Sequence, residues 1–132
     1  MLSLANVLLR CINMYDSGNI FAKIVRREIP STIVYEDAYV LSIKDIRPLA
    51  QVHVLVITKG AYENFDDFIC KASDEEKLGY FAGIDHTIDA LGLKKTGYRL
   101  MMNTGKDAHQ EVQQLHTHIL GGQDLGLPEK ID

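Results

Sequence analysis

The chain has 132 residues, with 14 Lys+Arg against 18 Asp+Glu and a formal charge of −4. Hydrophobic content of 46%, charged content of 24% and only three prolines fit one globular domain with its own core and exclude a disordered or collagen-like chain. The acidic balance, without clustered Lys/Arg, argues against a general nucleic-acid or membrane-surface binder, so an anionic ligand has to be held locally. No apolar run approaches the roughly 18 residues that cross a bilayer. Cys11 and Cys70 lie far apart with no metal-type spacing, which reads most plainly as two reduced thiols in a cytoplasmic protein, with a disulfide between them as the alternative.

Residues 1–18 are read as an N-terminal extension and 19–132 as a single domain. The extension lacks the early basic residues of a signal peptide. Leu4, Leu8, Cys11 and Ile12 would suit an amphipathic appendage. The plainer reading takes Met14 as a second candidate start and residues 1–13 as a poorly ordered terminus. A short helix is expected from Asn19 through Ile20, Phe21, Ile24 and Val25, stopped by Ile29-Pro30. Thr32–Glu36 and Tyr39–Ile43 are β-rich and separated by Asp37-Ala38, as in a hairpin. Val52–Ile57 is a near-continuous β-branched run, the pattern of a central strand covered on both faces. One long helix is expected from Ser73 to Leu91, with Ser73 and Glu76 as a capping box and Leu78, Phe81, Ala82, Ile84, Ile88 and Leu91 on its apolar stripe. Tyr98–Met102 and Gln113–Leu120 read as two closing strands bracketed by glycines.

The chemistry concentrates in Gln114-Leu115-His116-Thr117-His118-Ile119-Leu120-Gly121-Gly122. On a strand, Gln114, His116 and His118 share one face and Leu115, Thr117 and Ile119 the other. Two imidazoles about 6.6–7 Å apart along one strand can approach a single small group between them. A neutral His116 can attack phosphorus, and His118 can give a hydrogen bond or a proton to a phosphoryl oxygen or leaving group. The same pair, with His53 as a third ligand, can hold zinc. On spacing alone, phosphate chemistry, metal binding and packed core histidines all stay open.

Those residues, taken with Asn19–Pro30, Glu36-Asp37, Lys44-Asp45-Ile46-Arg47-Pro48, Gln51–Lys59 and Asn103-Thr104-Gly105, resemble the histidine-triad (HIT) family in order and spacing, and within it the Hint-like nucleoside phosphoramidase branch. The resemblance runs from Asn19 to Gly122. It implies an α+β fold with a five-stranded antiparallel sheet, a short N-terminal helix and one long helix, two copies joining as a homodimer with a ten-stranded sheet. It implies an enzyme that cleaves purine nucleoside phosphoramidates or related conjugates at the α-phosphate through a nucleotidyl-histidine, without a cofactor or intrinsic metal. His116 would be the nucleophile, its other ring nitrogen held by a main-chain carbonyl of its strand, and His118 the phosphate and leaving-group partner. His53 would lie behind them. Asp45 would bind the ribose; Phe21, Ile24, Ile43 and Ile46 would form the base slot; Asn103 and the amides near Glu111 and Val112 would hold the phosphate, with Gln110 a further nucleotide-binding residue. Apart from the resemblance, the four apolar residues read as core and Asp45 as turn chemistry.

Three positions depart from the family pattern. Gln114 stands where the first triad histidine would be, and an amide hydrogen-bonds but carries no proton near neutral pH. Glu111 replaces a small hydroxyl and sets a carboxylate near the phosphate, unless it turns to solvent and leaves only its amide inward. Thr117 lies on the strand's opposite face. A zinc-binding HxH protein and a catalytically weakened nucleotide-binding or scaffold protein are the rival readings. His109, in the preceding loop, is a candidate stand-in for the missing imidazole or an ordinary solvated histidine.

Overall fold

The computed structural model describes residues 3–4 and 14–131. Helix α1 (Ile20–Val25) starts at Asn19, whose side-chain oxygen accepts the Ala22 N–H at 2.9 Å and so satisfies one of the free amides of the first turn. It buries Phe21, Ala22 and Ile24. Strands β1 (Ile33–Glu36) and β2 (Val40–Lys44) pair antiparallel. Their turn is fixed by Asp37, whose Oδ1 accepts the N–H groups of Tyr39 and Val40 at 2.7 and 2.9 Å. Strand β3 (Val52–Thr58) is the middle strand of a five-stranded antiparallel sheet ordered β1-β2-β3-β5-β4, where β4 is Tyr98–Met101 and β5 is His116–Gly121. The central position expected of the β-branched run is observed.

The sequence reading leaves residues 59–72 unassigned, and a helix lies there: α2, Phe65–Lys71. Asn64 caps it by accepting the Asp67 N–H, but only Asp67 and Phe68 are buried, so it carries no apolar stripe that periodicity could detect. Helix α3 (Asp74–Ala90) has both bonds of the expected Ser73/Glu76 capping box. Its buried face needs correcting, because Leu78 and Phe81 are 71% and 54% exposed while Tyr80, Gly83, Ile84, Thr87 and Ile88 are buried. That face is part polar and hydroxyl-bonded, which hydropathy does not register. A Cβ on Gly83 would sit 2.5 Å from Val40 Cγ2, and this close approach lets Thr87 Oγ1 meet Ser42 Oγ at 2.7 Å.

The sheet separates two apolar clusters. Helices α2 and α3 cover one face, where Phe68, Tyr80, Ile84 and Ile88 pack on Val40, Val54, Val56, Leu115 and Ile119. Helix α1 covers the other, where Phe21 and Ile24 meet Leu41, Ile43, Leu55 and Ile57. Burying both faces locks the register of β3 against β5, since a one-residue slip would exchange the faces of every side chain. The helix or disordered terminus considered for residues 1–13 lies largely outside the described residues. The reduced-thiol reading fails for Cys70, which is disulfide-bonded. Among the described residues no helix is long and apolar enough to cross a membrane.

Candidate active site

A cleft of about 540 Å³ opens on the α1 side of the sheet. Twelve of the thirteen residues singled out in the sequence line it: Phe21, Ile24, Ile43, Asp45, Ile46, His53, Asn103, Gln110, Glu111, Val112, His116 and His118. Only Gln114 does not. Phe21, Ile24 and Ile43 are both core and wall, being 9%, 6% and 4% exposed, whereas Ile46 stands 91% exposed at the mouth. The core reading thus holds for Phe21, Ile24 and Ile43, which also line the cleft, and fails for Ile46.

Strand alternation puts His116 and His118 on the cleft side, their ring centroids 5.2 Å apart, and turns Thr117 to the helices. His116 Nδ1 lies 2.7 Å from the main-chain oxygen of Gln114. A carbonyl only accepts, so Nδ1 carries the proton and the Nε2 lone pair is left for the cleft. The Phe21 ring meets the imidazole edge-on with centroids 4.8 Å apart, which limits its rotation. Burial keeps the His116 pKa below the ordinary histidine value, while the Gln114 carbonyl and the charges of Asp45 and Glu111 act in the opposite sense.

The same accounting fixes the other two rings. Leu49 N–H donates to His53 Nδ1 at 3.0 Å, so His53 holds its proton on Nε2. His53 Nε2 lies 2.8 Å from His118 Nδ1, which must then accept, and His118 carries its own proton on Nε2. His53 Nε2 is also 3.4 Å from Asp45 Oδ2. Burial, helped by the neighbouring His116 and His53, pushes the His118 pKa down to about 4. His53 is likewise lowered by burial, against the pull of Asp45. All three rings are neutral near pH 7: one presents a lone pair to the cleft, and the next an N–H.

Asp45 shows the turn chemistry read for it, since Oδ1 accepts the Arg47 N–H at 2.7 Å, and its Oδ2 faces the histidines. Gln110 braces the loop before β5: its amide donates to Glu63 O and Val112 O at 2.7 and 3.1 Å and accepts from Gly105 N–H at 3.1 Å, with Gly105 at φ +80°. His109 is exposed at the rim in the left-handed region, φ +56°. The zinc trio of the rival reading, His53, His116 and His118, does not form among the described residues. In the cleft, the ligand atoms within 4.8 Å of one another belong to Asp45, His53 and His118; among the described residues a second such group, Asp85, His86 and Asp89, lies exposed on α3. Even the cleft group fits a metal poorly: for Nε2 of His53 to ligate, Nδ1 would have to take the proton and face the Leu49 N–H. Sequence reasoning missed the Leu49 amide, which no side-chain pattern announces, and the Tyr80 hydroxyl behind the strands.

The HIT domain family profile matches residues 26–125. The chain belongs to the HIT family. A HIT-like protein of Rickettsia prowazekii is 44% identical over 112 residues, 85% of this chain and 93% of that one. The purine nucleoside phosphoramidase of Escherichia coli K12 is 43% identical over 108 residues, 81% of this chain and 89% of that one. A histidine triad protein from Clostridium difficile superposes with a TM-score of 0.76 at 39% identity, over 88% of this chain and 100% of that one.

In this HIT protein the first triad position, Gln114, leaves the row of cleft-facing rings, because β5 begins only at His116. The Gln114 side chain is 1% exposed and fully bonded. Its amide nitrogen donates to Thr58 O and Gly60 O at 2.8 and 3.1 Å, and its oxygen accepts from Asn19 Nδ2 at 3.1 Å and from the Tyr15 hydroxyl.

Proposed function

We propose that this protein cleaves purine nucleoside phosphoramidates, or related conjugates of a nucleoside monophosphate, at the α-phosphorus. The observation that carries the reading is the 2.7 Å contact between His116 Nδ1 and Gln114 O, which leaves an unprotonated Nε2 beside the Nε2–H of His118 in the cleft. The base would lie against Phe21, Ile24 and Ile43, the ribose hydroxyls on Asp45, and the phosphate between the two rings, Asn103 and the amides near Glu111 and Val112.

His116 Nε2 attacks phosphorus, and the P–N bond to the leaving amine breaks as that nitrogen takes a proton from solvent. His118, neutral in the free protein, serves as a hydrogen-bond donor to the phosphoryl oxygens. Water then attacks the phosphohistidine, the bond to His116 breaks, and the nucleoside monophosphate leaves. The phosphoramidase activity of the E. coli relative supports the substrate class. A zinc role has less support, given the His53 tautomer. We extend the reading to a homodimer: β4 is an edge strand with Tyr98 and Leu100 43% and 44% exposed, where a second copy would continue the sheet. Sedimentation would measure this.

The test is release of AMP from an adenosine phosphoramidate by metal-free protein. Wild type should turn over and His116→Ala should not. Turnover restored only by added zinc would favour the metal reading, and AMP binding without any turnover the scaffold reading.

A further inference from the structure

We infer that Gln114 is a positioning residue, a four-bonded clasp that docks α1 against the end of β3, so that placing a histidine at this position weakens the nucleotide site instead of repairing it. This rests on the nucleotide-binding reading above.

The amide uses both donors and both acceptor sites, on Thr58 O, Gly60 O, Asn19 and Tyr15. Asn19 is equally committed: its oxygen caps α1 at Ala22 N–H, and its second amide hydrogen goes to Asp16 O at 2.8 Å. The clasp thus ties the α1 N-cap to the strand end, one turn from Phe21 and Ile24, which form the cleft wall, Phe21 lying edge-on to His116. Gln114 also supplies the carbonyl that accepts His116 Nδ1–H. One residue therefore holds the nucleophile by its main chain and the base wall by its side chain.

A neutral imidazole offers one donor and one acceptor, so at least two of the four bonds would be lost in Gln114→His. An imidazolium would serve both carbonyls but leave Tyr15 and Asn19 without an acceptor. Buried groups left unpaired are costly, and α1, at six residues, is too short to hold its position by its own hydrogen bonds.

The experiment compares wild type, Gln114→His, Gln114→Leu and Tyr15→Phe by amide hydrogen exchange in α1, by AMP affinity from calorimetry, and by the pH profile of adenosine phosphoramidate cleavage. In Gln114→His and Gln114→Leu, α1 amides should exchange about tenfold faster and AMP should bind about tenfold more weakly, a loss of one to two hydrogen bonds. The rise in KM should exceed the fall in kcat, with the acid limb of the profile unmoved. Tyr15→Phe should show the same changes in smaller degree, and it carries the exchange test should Gln114→Leu fail to fold. Gln114→His with wild-type exchange in α1, or with tighter AMP binding or faster turnover than wild type, overturns the clasp. Wild type that neither binds AMP nor cleaves the substrate would sink the functional reading, while exchange in α1 would still decide the clasp.

Discussion

His53 Nε2 lies 2.8 Å from His118 Nδ1, and because the Leu49 N–H occupies the other nitrogen of His53, the proton order of the pair is set by the main chain. The consequence is that His118 can offer only an N–H to the cleft. Nitrogen-15 NMR should find His118 predominantly as the Nε2–H tautomer in wild type and mixed in His53→Leu. Turnover in that variant should fall about tenfold or more, as for other outer partners that orient a reacting imidazole. An unchanged tautomer in His53→Leu would show that the pair is not in control.

The three neutral rings make stability depend on pH. Their folded pKa values are lowered, so between the ordinary value of 6.5 and the folded value, about 4 for His118, the unfolded chain binds more protons. Stability from these groups is thus present above 6.5 and lost as pH falls towards 4. Urea midpoints should drop from pH 7 to pH 5, and His118→Asn should shrink that drop. The acid limb of kcat/KM, reporting His116 in the free protein, should lie below 6.5.

Glu111 lines the cleft, is exposed, and its charge reaches His116. A phosphate about 4 Å from that carboxylate would be repelled by about 1 kcal/mol in water-like surroundings, or roughly fivefold in affinity. Glu111→Ser should tighten AMP binding by about that factor, and the gain should shrink in high salt. Equal calorimetric affinities at low salt would mean that the carboxylate stays clear of the phosphate.

Behind the histidines, the Tyr80 hydroxyl meets Val56 O at 3.1 Å and Thr117 Oγ1 at 2.7 Å, and Val56 and Thr117 face each other across β3 and β5. The hydroxyl staples together the two strands that carry His53, His116 and His118. Tyr80→Phe leaves buried groups unpaired and should cost about 1–3 kcal/mol by chemical denaturation. Thr117→Val in that background should add less than it does alone. Simple additivity would show that the three groups are not one network.

What could be read from the sequence follows from what each signal depends on. The central strand and the Ser73 cap were legible because β-branched continuity and capping are local, and both are observed. His116 and His118 were legible because strand alternation places them without tertiary information. Helix α2 was not, because its one buried apolar side chain, Phe68, leaves no period. A strand starting at Gln113 puts the side chain of Gln114 among the rings by alternation alone. The chain instead bends before His116, and partners 54 to 99 residues away settle where the amide goes. The exposure of Leu78 and Phe81 was hidden for the complementary reason, since α3 meets the sheet partly through hydroxyls that an apolar stripe does not count.

The central claim is that the free ring nitrogen of His116 forms a bond to phosphorus. Rapid-quench intact-mass analysis, with peptide mapping, should find one nucleoside monophosphate attached at His116 within the first turnover of an adenosine phosphoramidate, and none in His116→Ala. AMP released at the wild-type rate by His116→Ala, or an adduct mapped to another residue, would contradict the account.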